Sequence, residues 1–262
     1  MKLAANPSMG ASAAEVREAL RTAIAHLEKY DVPSAPLAAE LLLMHVLQCD
    51  RAWLHAHPES ELSSEAALAY AELIERRSKG VPTQYLTGRQ EFWGLEFEVG
   101  PGVLIPRPET EHVIEVALER LDARRAEPLR IADVGTGSGC IAISLACILP
   151  RAEIVATDIS AAALDYAHRN AARHGVSHRI QFLEADLLKV AIEAPRRAES
   201  GFDLIVSNPP YVGRGDAASL PREVREHEPA EALFAGDRVF GKDRSTRNVC
   251  LRSNDSEMYN LG

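Results

Sequence analysis

The sequence predicts an α/β fold on a parallel sheet, preceded by a small all-α domain and a β-hairpin linker. Three observations carry this expectation. From Leu129 onward, short apolar runs alternate with longer segments of helical periodicity. A glycine loop, Gly135-Thr136-Gly137-Ser138-Gly139, stands between the first of these runs and the first of these helices. Asn208-Pro209-Pro210-Tyr211 follows the run Phe202 to Val206, where two prolines end a strand by removing two N–H donors.

The 262 residues suffice for one large or two ordinary domains, and 46% hydrophobic content can fill a core. Lys and Arg number 29 against 38 Asp and Glu, so the net charge of −9 lacks the broad electrostatic footprint of a nucleic-acid binder. Cys49, Cys140, Cys147 and Cys250 form no C-x-x-C pair, which indicates neither a zinc site nor a disulfide framework. No apolar run reaches the length of a membrane span, and the N-terminus lacks the order of a signal peptide. A reducing cytoplasm is the expected location.

Ser12 with Glu15 reads as a capping box ahead of Val16, Leu20, Ala23, Ile24 and Leu27, which recur at helical spacing. Ser34 and Pro36 open a second helix, apolar over much of its circumference through Leu41, Leu42, Leu43, Met44, Val46 and Leu47. A short piece near Arg51 to His55 and a helix from Ser64 to Arg77, closed by Gly80, complete a bundle over residues 1–80. His45, His55 and His57 have no ligand partners at metal spacing. A linker over residues 81–108 follows. There Leu95, Phe97 and Val99 alternate with Glu96 and Glu98, and the hairpin turns at Trp93-Gly94. Ile105-Pro106-Arg107-Pro108 then gives a rigid entry to a helix through Val113, Ile114, Val116, Ala117 and Leu121. Arg107 reads either as a surface charge or as a contact near a ligand.

Residues 109–237 read as the α/β domain. Its strands are Leu129 to Val134, Glu153 to Thr157, Ile180 to Leu183 and Phe202 to Val206, with intervening helices from Cys140 to Leu149 and Ala161 to His174. Glycines let a ligand approach the backbone, and free N–H groups at a helix start attract a carboxylate or phosphate. Asp158, ending the second strand, suits two ribose hydroxyls. Asp186, after the third, suits an adenine amino group, with Leu187 against the ring. These features alone also suit NAD, but the dinucleotide fingerprint wants its third glycine where Cys140 stands. A nucleoside with an amino-acid tail, S-adenosylmethionine, fits the set better.

The segment Asp133 to Gly139, the acidic strand end Asp158 and Asn208-Pro209-Pro210-Tyr211 resemble class I methyltransferases that modify a planar nitrogen. Gln84-Tyr85-Leu86-Thr87-Gly88, Glu91-Phe92-Trp93-Gly94-Leu95 and Leu104-Ile105-Pro106-Arg107-Pro108-Glu109-Thr110-Glu111 narrow the resemblance to the peptide chain release factor glutamine methyltransferases, the HemK/PrmC family. It implies a Rossmann-like class I methyltransferase sheet and methyl transfer to the glutamine amide of a Gly-Gly-Gln motif. Asn208 and the Pro209 carbonyl would accept hydrogen bonds from that amide, Tyr211 would pack on its plane, and Pro210 would complete the substrate contact. Gly135, Thr136, Gly137, Ser138, Gly139, Asp158, Asp186, Leu187 and Asn208 would hold the cofactor, and the helical bundle would recognise the protein substrate. No metal is implied. Alternatives in the same fold are a ribosomal-protein glutamine, an exocyclic amino group of a nucleic-acid base, or an inactive module that only binds S-adenosylmethionine.

After Phe234 the chain leaves the family pattern. Residues 238–262 read as a polar tail with no strand-like alternation, so only four strands are assigned and the family's last strands are missing. The expectation is that the strand before Asn208 forms an open edge and that the fold is marginally stable or prone to aggregate.

Overall fold

A computed structural model describes residues 15–186 and 201–234, and the backbone of residues 248–251 and 258–261. The chain divides into two compact units after Thr87. The first holds helices α1 (Val16–Lys29), α2 (Ala35–Leu47), α3 (Arg51–Ala56), α4 (Ser64–Ser78) and α5 (Thr83–Thr87). Leu27 of α1 and Ala39, Leu42 and Leu43 of α2 are fully buried, and Tyr70 of α4 donates to the Ala39 carbonyl at 3.0 Å. The capping box is not found: Ser12 lies outside the described residues, and Glu15 is itself the N-cap, without a side-chain cap bond. Backbone does that work instead, as the first N–H groups of α1 reach the Ser60 and Pro58 carbonyls at 2.9 and 3.0 Å. Segment 83–87, within the expected linker, is helical, with Tyr85 and Leu86 buried.

The second unit opens with a hairpin of β1 (Arg89–Phe92) and β2 (Leu95–Glu98). Trp93 and Gly94 both take positive φ, 55° and 69°, as a tight two-residue turn requires. Glu91 and Glu111 accept the N–H groups of Gly94 and Trp93 at 2.7 and 2.8 Å, stabilising a conformation that a tryptophan disfavours. Then come α6 (Glu111–Arg120), β3 (Arg130–Val134), α7 (Cys140–Ile148), β4 (Glu153–Asp158), α8 (Ala161–Arg173), β5 (Ile180–Glu184) and β6 (Leu204–Ser207). Short helices α9 (Arg222–His227) and α10 (Ala230–Leu233) precede β7 (Asn248–Leu251) and β8 (Met258–Leu261).

The sheet order is β5-β4-β3-β6-β7-β8, parallel through the first four strands and antiparallel over the last two. Alternate residues Ile131, Ile154, Ala156, Leu204 and Val206 join one core with Ile114 of α6 and Ile143 and Leu145 of α7. Ala132, Val155 and Phe202 form a smaller cluster with Leu183 and Ile205. The chain runs outward from β3 through β4 to β5 and returns to β6 on the other side of β3, so a crevice opens at the carboxyl ends of β3 and β6.

The tail departs from expectation. Antiparallel pairing of Ile205 with Leu251, Val206 with Cys250 and Ser207 with Val249 puts β6 inside the sheet, not at an open edge. The reason is that the N–H and C=O groups of a strand edge pair with any extended segment that reaches them. The strands of the tail, Asn248–Leu251 and Met258–Leu261, do not alternate apolar with polar residues and stand among polar segments, so no period marks them. The premise of an exposed edge at β6 therefore falls.

Among the described residues, no helix is long and apolar enough to cross a membrane.

Candidate active site

The loop leaving β3 makes its turn with φ values of 72°, 56° and 84° at Gly135, Gly137 and Gly139, a region L side chains rarely adopt. Two of these glycines do different work. A Cβ on Gly135 would meet nothing within 4 Å, so the backbone there is open to a ligand. A Cβ on Gly139 would stand 2.8 Å from Ile143 Cδ1 and 3.2 Å from Ala167 Cβ, so this glycine lets α7 and α8 approach.

Several N–H groups of the loop, and one at the helix start, are already committed. Gly135 and Thr136 both donate to the Thr157 carbonyl, at 2.8 and 2.9 Å, and Gly139 donates to the Thr136 carbonyl at 2.9 Å. Gly137 donates to Asp158 Oδ2 at 2.8 Å, and Ala142 to Asp133 Oδ2 at 3.2 Å. These bonds fix the shape of the turn before a ligand is present.

Asp133 lies beneath the loop. It is fully buried, and Oδ2 also accepts from the Thr136 hydroxyl at 2.6 Å, which pins the turn from below. Burial raises its pKa to about 6, against the lowering effect of the Thr136 and Ala142 bonds. Thr136 and Ser138 are also buried and serve the loop's own packing.

Asp158 stands at the carboxyl end of β4, half-buried, with Oδ1 accepting from Ser160 N at 2.9 Å and Oδ2 from Gly137. Each oxygen keeps a further lone pair for a ligand hydroxyl. Asp186 is exposed just beyond β5, whose exit is tied to β4 by Ala185 N donating to the Asp158 carbonyl at 2.9 Å. Leu187 lies outside the described residues.

Asn208 follows β6 directly, beside the glycine loop because β6 pairs with β3 and Ser207 Oγ donates to the Val134 carbonyl at 2.8 Å. Its Nδ2 donates to Thr110 Oγ1 at 3.0 Å. Pro209 and Pro210 are half-buried, and Tyr211 is 53% exposed. Among the described residues, no backbone N–H donates to the Pro209 carbonyl. The loop's far end is closed where Val212 N meets the Leu233 carbonyl at 3.0 Å.

Thr110 and Asn170 were not expected at the site, and Arg107 was expected only as one of two alternatives. Arg107 is no free surface charge: it pairs with Glu228, a buried carboxylate that also accepts from Ile105 N at 3.2 Å. Asn170 of α8 is fully buried; it accepts from Glu98 N at 2.7 Å and donates to the Glu98 and Ser138 carbonyls at 3.0 Å each. The available signal was an asparagine on the same helical face as Ala163, Ala167 and Ala171.

Family comparison agrees with this architecture. Residues 18–88 match the PrmC N-terminal domain and residues 111–224 the methyltransferase small domain. The release factor glutamine methyltransferase of Koribacter versatilis is 50% identical over 223 residues, which span 85% of this chain and 76% of that protein. The chain belongs to the release factor glutamine methyltransferases. The Chlorobaculum tepidum member is 47% identical over 227 residues, 84% of this chain and 75% of its own length. Among solved structures, a SAM-dependent methyltransferase from Agrobacterium tumefaciens aligns over 48% of this chain and 40% of its own, with 25% identity and a TM-score of 0.37.

Proposed function

We propose that this chain transfers a methyl group from S-adenosylmethionine to the side-chain amide nitrogen of the glutamine in the Gly-Gly-Gln motif of peptide chain release factors, in the cytoplasm. Family membership supports the reaction. The observation that carries the site assignment is Asn208 at the end of β6, one strand from the glycine loop, with its amide nitrogen turned to Thr110.

The residues present fit the cofactor. Open space over Gly135 admits it to the backbone, and Asp158 offers lone pairs to its ribose hydroxyls. Asp186, exposed just beyond β5, would accept a hydrogen bond from the adenine amino group, while Thr136, Gly137, Ser138 and Gly139 shape the turn. When bound, S-adenosylmethionine supplies an electrophilic methyl group on a sulfonium.

An amide nitrogen is a poor nucleophile because its lone pair is delocalised into the carbonyl, so orientation supplies much of the available catalysis. Asn208 Oδ1 and the Pro209 carbonyl accept the two N–H groups of the glutamine amide. They direct its lone pair toward the methyl group and stabilise positive charge as it develops on nitrogen. Tyr211 covers the amide plane, and Pro210 holds the bend that keeps both acceptors convergent. No strong base is required at the outset, because the nitrogen becomes acidic only as it is methylated; its proton would then pass to water, with the S–C bond broken and the neutral thioether S-adenosylhomocysteine left. The helical unit supplies recognition of the protein substrate.

The test is transfer of labelled methyl from S-adenosylmethionine to a purified release factor and to its Gly-Gly-Gln variant with alanine for glutamine. Label on the first alone is expected. Label on nucleic acid or on a ribosomal protein, and on neither release factor, would overturn the assignment; cofactor binding without any transfer would make the chain a binding module.

A further inference from the structure

The Asn208 amide has two ends, and the acceptor uses one of them. The other end meets Thr110, whose side chain is buried and whose hydroxyl lies 3.0 Å from Nδ2 across 98 residues of sequence. Thr110 enters α6 with helical backbone angles, φ −71° and ψ −19°, as the last residue of the turn Pro108–Thr110, so its hydroxyl makes no cap bond to the first turn of α6 and meets Asn208.

We infer that Thr110 is a positioning residue for methyl transfer, one that orients the Asn208 amide so that its oxygen faces the acceptor nitrogen. The inference rests on the reading of Asn208 as the clamp on the glutamine amide. A terminal amide torsion is broad and roughly two-fold, so an unanchored asparagine presents either its oxygen or its NH₂ to the crevice. The second orientation sets donor against donor and rejects the glutamine. A hydroxyl can turn to accept or to donate, so Thr110 anchors this edge of the amide, and the contact in this structure is the one in which Nδ2 donates to it. With Thr110 accepting from Nδ2, the oxygen is left for the acceptor's N–H, and the two bonds polarise the amide in the same sense.

Thr110 is itself held in place. Residues Pro108–Thr110 form one turn of 3₁₀ helix, closed by Thr110 N donating to the Arg107 carbonyl at 3.0 Å. The Arg107 guanidinium is anchored by Glu228. The anchored amide also selects: it accepts hydrogen bonds from planar nitrogens bearing N–H and repels a carbonyl in the same place.

The experiment compares Thr110→Val and Thr110→Ser in single-turnover transfer to a release factor, with cofactor affinity and thermal midpoint measured on each. Thr110→Val should lower the rate of the chemical step about tenfold or more, since small misplacements at a reacting centre carry losses of that order. Its cofactor affinity and midpoint should stay near those of the unsubstituted chain. Thr110→Ser should recover most of the rate. The Asn208 side-chain NH₂ signals in a ¹⁵N-correlated spectrum, identified by their loss in Asn208→Ala, should shift in the valine variant and not in the serine variant. A valine variant as fast as the unsubstituted chain, a serine variant no better than valine, or unmoved NH₂ signals would each overturn the inference. If the unsubstituted chain transfers nothing, the functional reading fails by itself, and the NH₂ signals still decide for or against Thr110.

Discussion

The Asn170 amide nitrogen donates to the Ser138 carbonyl over 3.0 Å, so one buried side chain of α8 holds the glycine loop. The same amide exchanges hydrogen bonds with both backbone groups of Glu98. Asn170→Leu removes three bonds and leaves buried backbone groups without partners, a loss of ~2–4 kcal/mol. Urea titration should show that loss, and calorimetry should show weaker S-adenosylmethionine binding; a change under ~1 kcal/mol would mean water or rearrangement replaces the asparagine.

Gly139→Ala and Gly135→Ala should separate. Both place alanine at positive φ, which costs ~1–2 kcal/mol. Only Gly139→Ala adds contact with Ile143 and Ala167, and overpacking there contributes a further ~1–3 kcal/mol. Denaturant midpoints should therefore rank Gly139→Ala as the less stable variant, whereas Gly135→Ala should show the larger loss of cofactor affinity relative to its stability change.

Asp133 predicts a pH dependence. Burial raises its folded-state pKa from the ordinary 3.8 to about 6, so between these values the folded state binds more protons than the unfolded one. Stability from this group is fully present below the unfolded value and is lost as pH rises through the folded one, on the order of 3 kcal/mol. Asp133→Asn removes the titration. The stability of the unsubstituted chain relative to this variant should therefore fall between about pH 4 and pH 6, as measured by urea unfolding of both proteins across that range. A flat difference would show that Asp133 stays at its usual pKa.

Glu228 is buried while its partner Arg107 is part-exposed, at 1% and 30% of side-chain area. Glu228→Ala leaves the guanidinium and Ile105 N without their acceptor and should cost ~1–3 kcal/mol, discounted for the exposure of Arg107. Glu228→Gln keeps an acceptor for Ile105 N and should cost less. Methyl-transfer rates should follow the same order, because the Pro108–Thr110 turn rests on Arg107.

Asn208→Ala should abolish transfer to the release factor while S-adenosylmethionine affinity stays within severalfold. Equal loss of both would place Asn208 mainly in the cofactor site. Rapid-quench transfer and equilibrium binding on one preparation distinguish the two.

Much of this was legible in the chain. The helices of the first unit, the hairpin turn at Trp93-Gly94 and the strands before Gly135, Asp158 and Asn208 all follow from local periodicity and turn chemistry, which act within a few residues. The residues behind the site were not legible, because their partners are distant: Thr110 meets Asn208 across 98 positions and Arg107 meets Glu228 across 121. The internal bonds of the loop were not legible for the same reason. A glycine loop advertises open N–H groups, but the Thr157 carbonyl that accepts two of them lies at the end of another strand. β7 escaped because Asn248–Leu251 does not alternate apolar with polar residues, and what orders it is the edge of β6.

That Thr157 carbonyl has a kinetic consequence. Because Gly135 and Thr136 both bond to it, the mouth of the loop is in place before any ligand arrives. These two amides should exchange with solvent deuterium only through opening of β3 from β4, on the timescale of the most protected strands. Binding then needs no ordering of this loop, and the encounter should be limited by diffusion into the crevice and not by folding of the segment that receives the ligand.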